Sequence, residues 1–435
     1  MAAFGILLLV VLMAFGVPVA WSFALVLAYL VYVFDVSTTV LLMQGFRSLD
    51  HLILLSLPLF VLAGYLMKSG GIARRLVEFI EGMVKGRRGG LGASMVLASG
   101  IFGAISGTAS GAVASIGTIM ITPLAERGYP RGYASALLGI SSLLGILIPP
   151  SITMILFGVV TRQSITALFA ASIGPGLLLI VGLILYNRFL VGRRFEETYL
   201  GDARGQTISR GAAFRHAVPA LMLPVVILGG IYGGICTPTE AASIAVVCAI
   251  LIGIFVYKEM SLKHLKDSVI SAGETTGTIM LILLFSFMIG RILTAERVPQ
   301  ELTETITTLV RDPVLILILV NLFLIAAGMI MDDLSVTVVI APLLLPLVVS
   351  TGVDPLHYGT IVACSVVIAA NSPPVAPILY MACRIGQVSI HHAVMPAVWL
   401  IVFVGMPVMI ITTFVPFVSL AIPKLLGVYS GAAIH

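Results

Sequence analysis

The 435-residue chain is 59% hydrophobic and 10% charged, with a formal net charge of +5. Soluble domains carry about 25% charged residues and seldom expose large apolar patches, so this composition excludes an ordinary soluble protein and leaves one embedded in lipid. Nor does the positive charge signal nucleic acid: Lys and Arg concentrate in three short segments (68–88, 188–215 and 258–266) between apolar stretches, not on one face.

In chain order, the apolar stretches are residues 1–34, 52–67, 165–186, 217–235, 241–257, 278–289 and 393–415. Several approach or exceed the roughly 20 residues that cross a bilayer as a helix, and the pattern predicts about ten spans plus two re-entrant hairpins. Residues 1–34 read either as one long bent helix or as two shorter ones. They lack a basic residue ahead of the apolar core, which argues against a cleavable signal peptide. The positive-inside rule puts the three basic segments in the cytoplasm. Segment 296–312 carries Glu296, Glu301, Glu304 and Asp312 against Arg297 and Arg311, and is assigned to the outer side. Thr237-Pro-Thr-Glu240 reads as a capped helix start. Cys236, Cys248, Cys364 and Cys383 have no ligand spacing and read as small hydrophobes, so neither a metal nor a redox role is expected.

The halves of the chain repeat. An apolar span at 60–64, an amphipathic stretch at 72–84, a Gly/Ser-rich segment at 102–117, then Pro123, Pro130, Tyr133 and Pro149-Pro150 are followed in the second half by 285–290, 300–310, a segment with Asp332 and Asp333, then Pro346, Pro355, Tyr358 and Pro373-Pro374. The first amphipathic stretch lies in a basic segment and the second in the acidic one. Similar halves on opposite sides form an inverted-topology repeat, a plan in which transporters hold substrate between the repeats.

Two segments break the rules for a smooth spanning helix: Gly145-Ile-Leu-Ile-Pro-Pro-Ser151 and Asn371-Ser-Pro-Pro-Val-Ala-Pro377. Each Pro-Pro pair removes backbone donors and pushes the preceding residue out of the helical region. The freed carbonyls are tolerated at membrane depth only where protein buries them or they line a cavity. With neighbouring Ser and Asn oxygens they suit a hard monovalent cation such as sodium; the alternative is a simple kink. Ser106-Gly-Thr-Ala-Ser-Gly111, flanked by apolar arms near or below spanning length, reads as the tip of a hairpin entering from the cytoplasm, or as a small-residue packing face. Its counterpart, 315–349 with Gly328 to Ser335 at the tip, would enter from outside. Asp332 and Asp333 are intramembrane acids and functional candidates by default, with helix capping as the alternative.

Taken together, Leu55-Ser-Leu-Pro-Leu-Phe60, the basic arm after Gly70-Gly71, the Ser106–Gly111 tip, Ile148-Pro-Pro-Ser151, Thr237-Pro-Thr-Glu-Ala-Ala242 and Pro373-Pro374 resemble the large membrane subunit of tripartite ATP-independent periplasmic (TRAP) transporters, DctM/SiaM-type, over nearly the whole chain. The resemblance implies an all-α, inverted-repeat elevator-type transporter with two re-entrant hairpins and two broken helices, in the bacterial inner membrane. Residues 89–164 and 313–390 would form the transport domain; 1–88, 165–312 and 391–435 would form the scaffold. Two sodium ions are implied, one at Ser106, Gly145, Ile148 and Pro150, the other at Gly328, Ala369, Ser372 and Val375. Asn371-Ser372 departs from the small or threonine residues more usual in the family, which leaves that second set less well fixed. Substrate contacts would come from Ser106, Thr108, Ser110, Ser151, Asp332, Asp333 and Asn371. The implied partners are a small four-span membrane subunit, a periplasmic substrate-binding protein, a small organic anion such as a C4-dicarboxylate or sialic acid, and membrane lipid; no organic cofactor is expected.

A stand-alone sodium–carboxylate symporter of similar fold shares these features and differs in needing no partner. Enzyme chemistry is not expected. An aspartyl protease needs carboxylates converging from different helices, whereas Asp332 and Asp333 are sequence neighbours pointing about 100° apart on a helix. No GxxxxGK[ST] loop is present for an ATP-driven pump.

Overall fold

The structure, a computed structural model, describes residues 2–84, 89–190, 210–373 and 375–429. Pro374 of the second proline pair and the basic residues Lys85, Arg87, Arg88, Arg193, Arg194 and Arg204 lie outside the described residues. Helices account for the described elements: α1 (Ala2–Ala14), α2 (Val19–Val33), α3 (Thr38–Leu49), α4 (Ser56–Ser69), α5 (Ile72–Val84), α6 (Gly90–Ser106), α7 (Ala109–Glu126), α8 (Arg131–Ser142), α9 (Leu144–Leu147), α10 (Ile152–Thr161), α11 (Ile165–Leu190), α12 (Arg210–Tyr232), α13 (Pro238–Leu251), α14 (Leu262–Ala295), α15 (Val298–Leu309), α16 (Pro313–Gly328), α17 (Asp333–Ser335), α18 (Ala341–Ser350), α19 (Pro355–Ala369), α20 (Pro377–Gly386), α21 (Ile390–Leu400), α22 (Met406–Phe414) and α23 (Phe417–Leu425).

Residues 1–34 form two helices. Gly16, at φ 80°, and Pro18 end the first run, and α1 and α2 pack against each other. Among the described residues, eight helices are long and apolar enough to cross a membrane, nine if α8–α9 and α10 count as one span bent by 43°. That is fewer than the sequence pattern predicts, because α1, α2, α6, α16 and α19 are all short and because two of the eight, Ala109–Glu126 and Asp333–Ser350, are second arms of hairpins. At the start of α13 the expected capping box is formed: Thr237 Oγ1 accepts from Glu240 N at 3.3 Å, and Thr237 N donates to Glu240 Oε2 at 2.8 Å.

Packing sorts the helices into an outer frame and a central bundle. In the frame α4 packs on α13 and α14, α14 on α2 and α3, and α12 on α13 and α5. The amphipathic α5 buries Ile72, Ala73, Leu76, Val77 and Ile80 along one stripe. It is pinned from its polar side by Glu259, which accepts from Arg74 and, at 2.5 Å, from Arg75. The bundle holds both hairpins, α6–α7 and α16–α18, and both broken helices, α8–α10 and α19–α20. Two segments grouped with the scaffold from sequence touch this bundle: α11 contacts α6, α9 and α19, while α21 lies on α8 and α22 on α19. Buried amides fix these contacts. Asn187 of α11 accepts from Tyr133 Oη at 3.0 Å and donates to the Gly89 carbonyl at 2.9 Å. In the second half Asn321 of α16 donates to Thr413 Oγ1 at 3.2 Å and accepts from Ser365 Oγ at 3.2 Å.

Candidate ion and substrate site

Each hairpin tip meets a break in a neighbouring helix. At the first tip α6 ends at Ser106, and Gly107 turns the chain through the left-handed region (φ 64°). Thr108 then caps α7, its Oγ1 accepting from Gly111 N at 3.2 Å. Opposite, α9 ends at Leu147, the chain extends through Ile148, Pro149 and Pro150, and Ser151 caps α10 by accepting from Met154 N at 3.4 Å. The two breaks touch through backbone: Ile152 N donates to the Gly107 carbonyl at 3.2 Å. Glycine makes this approach possible. A Cβ on Gly103 would lie 2.6 Å from the Gly145 Cα, one on Gly145 would lie 2.9 Å from the Thr108 carbonyl oxygen, and one on Gly107 would lie 3.0 Å from the Pro150 carbonyl oxygen.

Four helix ends therefore converge. The C-terminal ends of α6 and α9 present carbonyls with partial negative charge, and the N-terminal ends of α7 and α10 present amides with partial positive charge. Such a junction can hold a cation on one side and an anionic group on the other. Of the first predicted sodium set, Gly145 and Pro150 meet the tip directly; Ser106 is buried, with its Oγ 3.5 Å from the Thr108 carbonyl oxygen. Ile148 belongs to the same break, its N donating to the Leu144 carbonyl at 2.7 Å and its side chain lying against Gly100.

The second tip follows the same scheme. A Cβ on Gly328, at the end of α16, would lie 2.7 Å from the Ala369 Cβ at the end of α19. Ser372 is buried; its N donates to the Ala369 carbonyl at 3.0 Å and its Oγ to the Ile368 carbonyl at 2.8 Å. Val375 is 43% exposed and does not share their burial. Asp332 takes the N-cap position of α17 without a side-chain cap hydrogen bond, and its carboxylate accepts from the Ser335 hydroxyl instead. Asp333 reaches into the other repeat: Thr153 Oγ1, in the first turn of α10, donates to its Oδ2 at 3.2 Å. Thr153 was not singled out from sequence, because nothing local marks a contact made 180 residues away.

The predicted substrate residues fall into three groups. Ser106, Thr108 and Ser110 line a cavity of about 100 Å3 against α4 and α14. Lys68, read from sequence only as a marker of sidedness, lines it too, as do Tyr65 and Thr275, which hydrogen bond at 3.0 Å. Ser151, Asp332 and Asp333 sit where α10 meets the second tip. Asn371 stands apart: 1% exposed, with no hydrogen-bond partner for its amide among the described residues, it faces Gly139 of α8. Among the described residues no cluster of His, Cys, Asp or Glu could hold a metal ion of the kind those ligands bind.

The sequence matches the family model described as tripartite ATP-independent periplasmic transporter, DctM component, over residues 6–418. The chain belongs to the DctM family of TRAP transporter permeases. Relatives agree along the whole length. The C4-dicarboxylate TRAP transporter large permease protein DctM of Rhodobacter capsulatus is 33% identical, with 97% of this chain and 98% of that protein covered. The sialic acid TRAP transporter large permease protein SiaM of Vibrio cholerae is 30% identical, over 94% of this chain and 95% of that protein. Among solved structures, the YdaH transporter of Alcanivorax borkumensis superposes with a TM-score of 0.59 at 13% identity, covering 88% of this chain and 87% of that one, a likeness of fold alone. As a DctM-family permease with at least eight membrane-length helices, the protein is a multi-pass component of the bacterial inner membrane.

Proposed function

We propose that this DctM-family permease imports small organic anions, C4-dicarboxylates or sialic acids, by coupling their movement to two sodium ions. It works with a small four-span membrane subunit and a periplasmic substrate-binding protein, and the hairpin bundle slides as an elevator within the frame. The observation that carries the reading is the paired convergence of helix ends. Each repeat brings a glycine at its hairpin tip against a broken helix, and at the first junction carbonyl oxygens for a cation lie beside the N-termini of α7 and α10 for an anion. The acid substrate class rests on the relatives that carry C4-dicarboxylates and sialic acid. The partition into frame and bundle supports the elevator, and the frame comes close to the tip at Gly64 of α4, where a Cβ would lie 3.0 Å from the Ser106 Cβ.

The test has two parts. Affinity purification of the tagged chain from its native membrane should co-elute a small four-span protein in stoichiometric amount. Reconstituted with that subunit and its binding protein, the chain should take up succinate or N-acetylneuraminate only under an inward sodium gradient. A chain that purifies alone and transports alone would refute the dependence on partners, and uptake indifferent to sodium would refute the coupling.

A further inference from the structure

A second cavity, of about 550 Å3, opens between frame and bundle at the last turns of α14, the end that leads into the acidic segment 296–312. Its size lies within the roughly 300–1,000 Å3 usual for small-molecule sites. Arg162 lines it from the C-terminal end of α10, at φ 58°, and Arg291 lines it from α14, with His51 nearby. Among the described residues no acidic side chain lines it. The ion pairs among the described residues join Arg74 and Arg75 to Glu78 and Glu259, so neither Arg162 nor Arg291 has an acidic partner there. Ser286 also lines the cavity; its hydroxyl is buried, 2% exposed, and has no hydrogen-bond partner among the described residues. Arginines near a helix end often extend toward lipid headgroups. Here both turn to one concave space that also holds an unpartnered hydroxyl, which headgroup contact does not account for.

The internal repeat gives an independent reason to treat this cavity as functional. The smaller cavity beside the first tip is lined from α4 by Val61, Gly64, Tyr65 and Lys68; this one is lined from α14 by Phe287, Gly290, Arg291 and Thr294. Each pair is separated by the same interval (287 − 61 = 226, and likewise for the other three), so the same helix face builds both. One cavity carries Lys68 at the basic end of the fold, the other Arg291 and Arg162 at the acidic end.

Resting on the reading of the chain as an organic-anion permease, we propose that the outer cavity is a carboxylate-binding vestibule in which Arg162 and Arg291 jointly hold the acid group of a small organic anion on its way to the hairpin tips. Paired guanidiniums supply the planar donor arrays that match a carboxylate, and Ser286 adds a hydroxyl donor deeper in. Because Arg162 belongs to the bundle and Arg291 to the frame, the bound anion spans both.

The test is arginine modification by phenylglyoxal on the purified full-length chain, mapped by mass spectrometry with and without succinate or N-acetylneuraminate. Modification of both Arg162 and Arg291 should slow about tenfold with the anion at roughly ten times its Kd, while Arg311 and Arg384 react as before. An anion that raises the melting temperature yet leaves both rates unchanged overturns the vestibule and leaves the permease reading standing. Failure of every anion to protect either arginine also overturns it, and sodium-driven uptake by the reconstituted system then decides the permease reading separately. In that system R162Q and R291Q should each raise KM about tenfold with kcat nearly unchanged, and R291K should recover part of the loss. Unchanged KM in both variants would contradict the proposal.

Discussion

At the scale of single residues, the site depends on missing side chains as much as on present ones. A methyl group at Gly103 would press on the Gly145 backbone, so Gly103→Ala should cost about 1–3 kcal/mol and lower both melting temperature and uptake. Gly82→Ala, whose new Cβ meets nothing within 4 Å, should lower neither; equal effects at the two positions would refute the close approach. The Thr153–Asp333 contact makes a second prediction. Thr153→Ala and Asp333→Ala should be non-additive in stability, with a coupling of about 0.5–3 kcal/mol in a double-mutant cycle. Strict additivity would mean that the contact carries nothing. The sequence marks Ser106, Gly145 and Asp332 by their oddity within apolar runs, and the structure brings these residues to the breaks. Thr153, Lys68 and Arg162 were passed over because a threonine in a helix or a cation at a span end is ordinary until the fold shows what it faces.

At the scale of elements, breaks were easier to read than boundaries. Pro-Pro pairs and Gly/Ser clusters act through backbone geometry and mark their own positions, so the ends of α6, α9, α16 and α19 fall close to where the motifs put them. The contacts of α11, α21 and α22 with the bundle were not legible. These helices are mostly apolar, and an apolar face toward lipid looks the same in sequence as one toward protein. The polar signal that does separate them is Asn187, which is fully buried and ties α11 to α8 and to the base of the first hairpin. Asn187→Leu removes both hydrogen bonds, to the Tyr133 hydroxyl and to the Gly89 carbonyl. It should cost about 1–3 kcal/mol for two hydrogen bonds lost, read as a lower melting temperature in detergent. A variant as stable as the parent would detach α11 from the bundle.

At the scale of the whole molecule, two similar halves give two junctions, in each of which a glycine at the end of a hairpin arm meets the break of a helix. The repeat was legible because prolines and glycines recur at a nearly constant interval, and an interval of 226 residues relates Tyr65 and Lys68 of the inner cavity to Arg291 and Thr294 of the outer one. Membership of the DctM family fixes the protein as a transporter permease. The central claim, that the paired breaks hold sodium, is tested most directly by the thermal stability of the purified chain in sodium against potassium or choline. A ligand bound only by the native state at 10 to 100 times its Kd should stabilise by roughly 1–3 kcal/mol. Sodium should raise the melting temperature specifically, by less in Ser106→Val and in Ser372→Val, and not at all in the double variant. No sodium-specific rise, or a full rise surviving in the double variant, would contradict it.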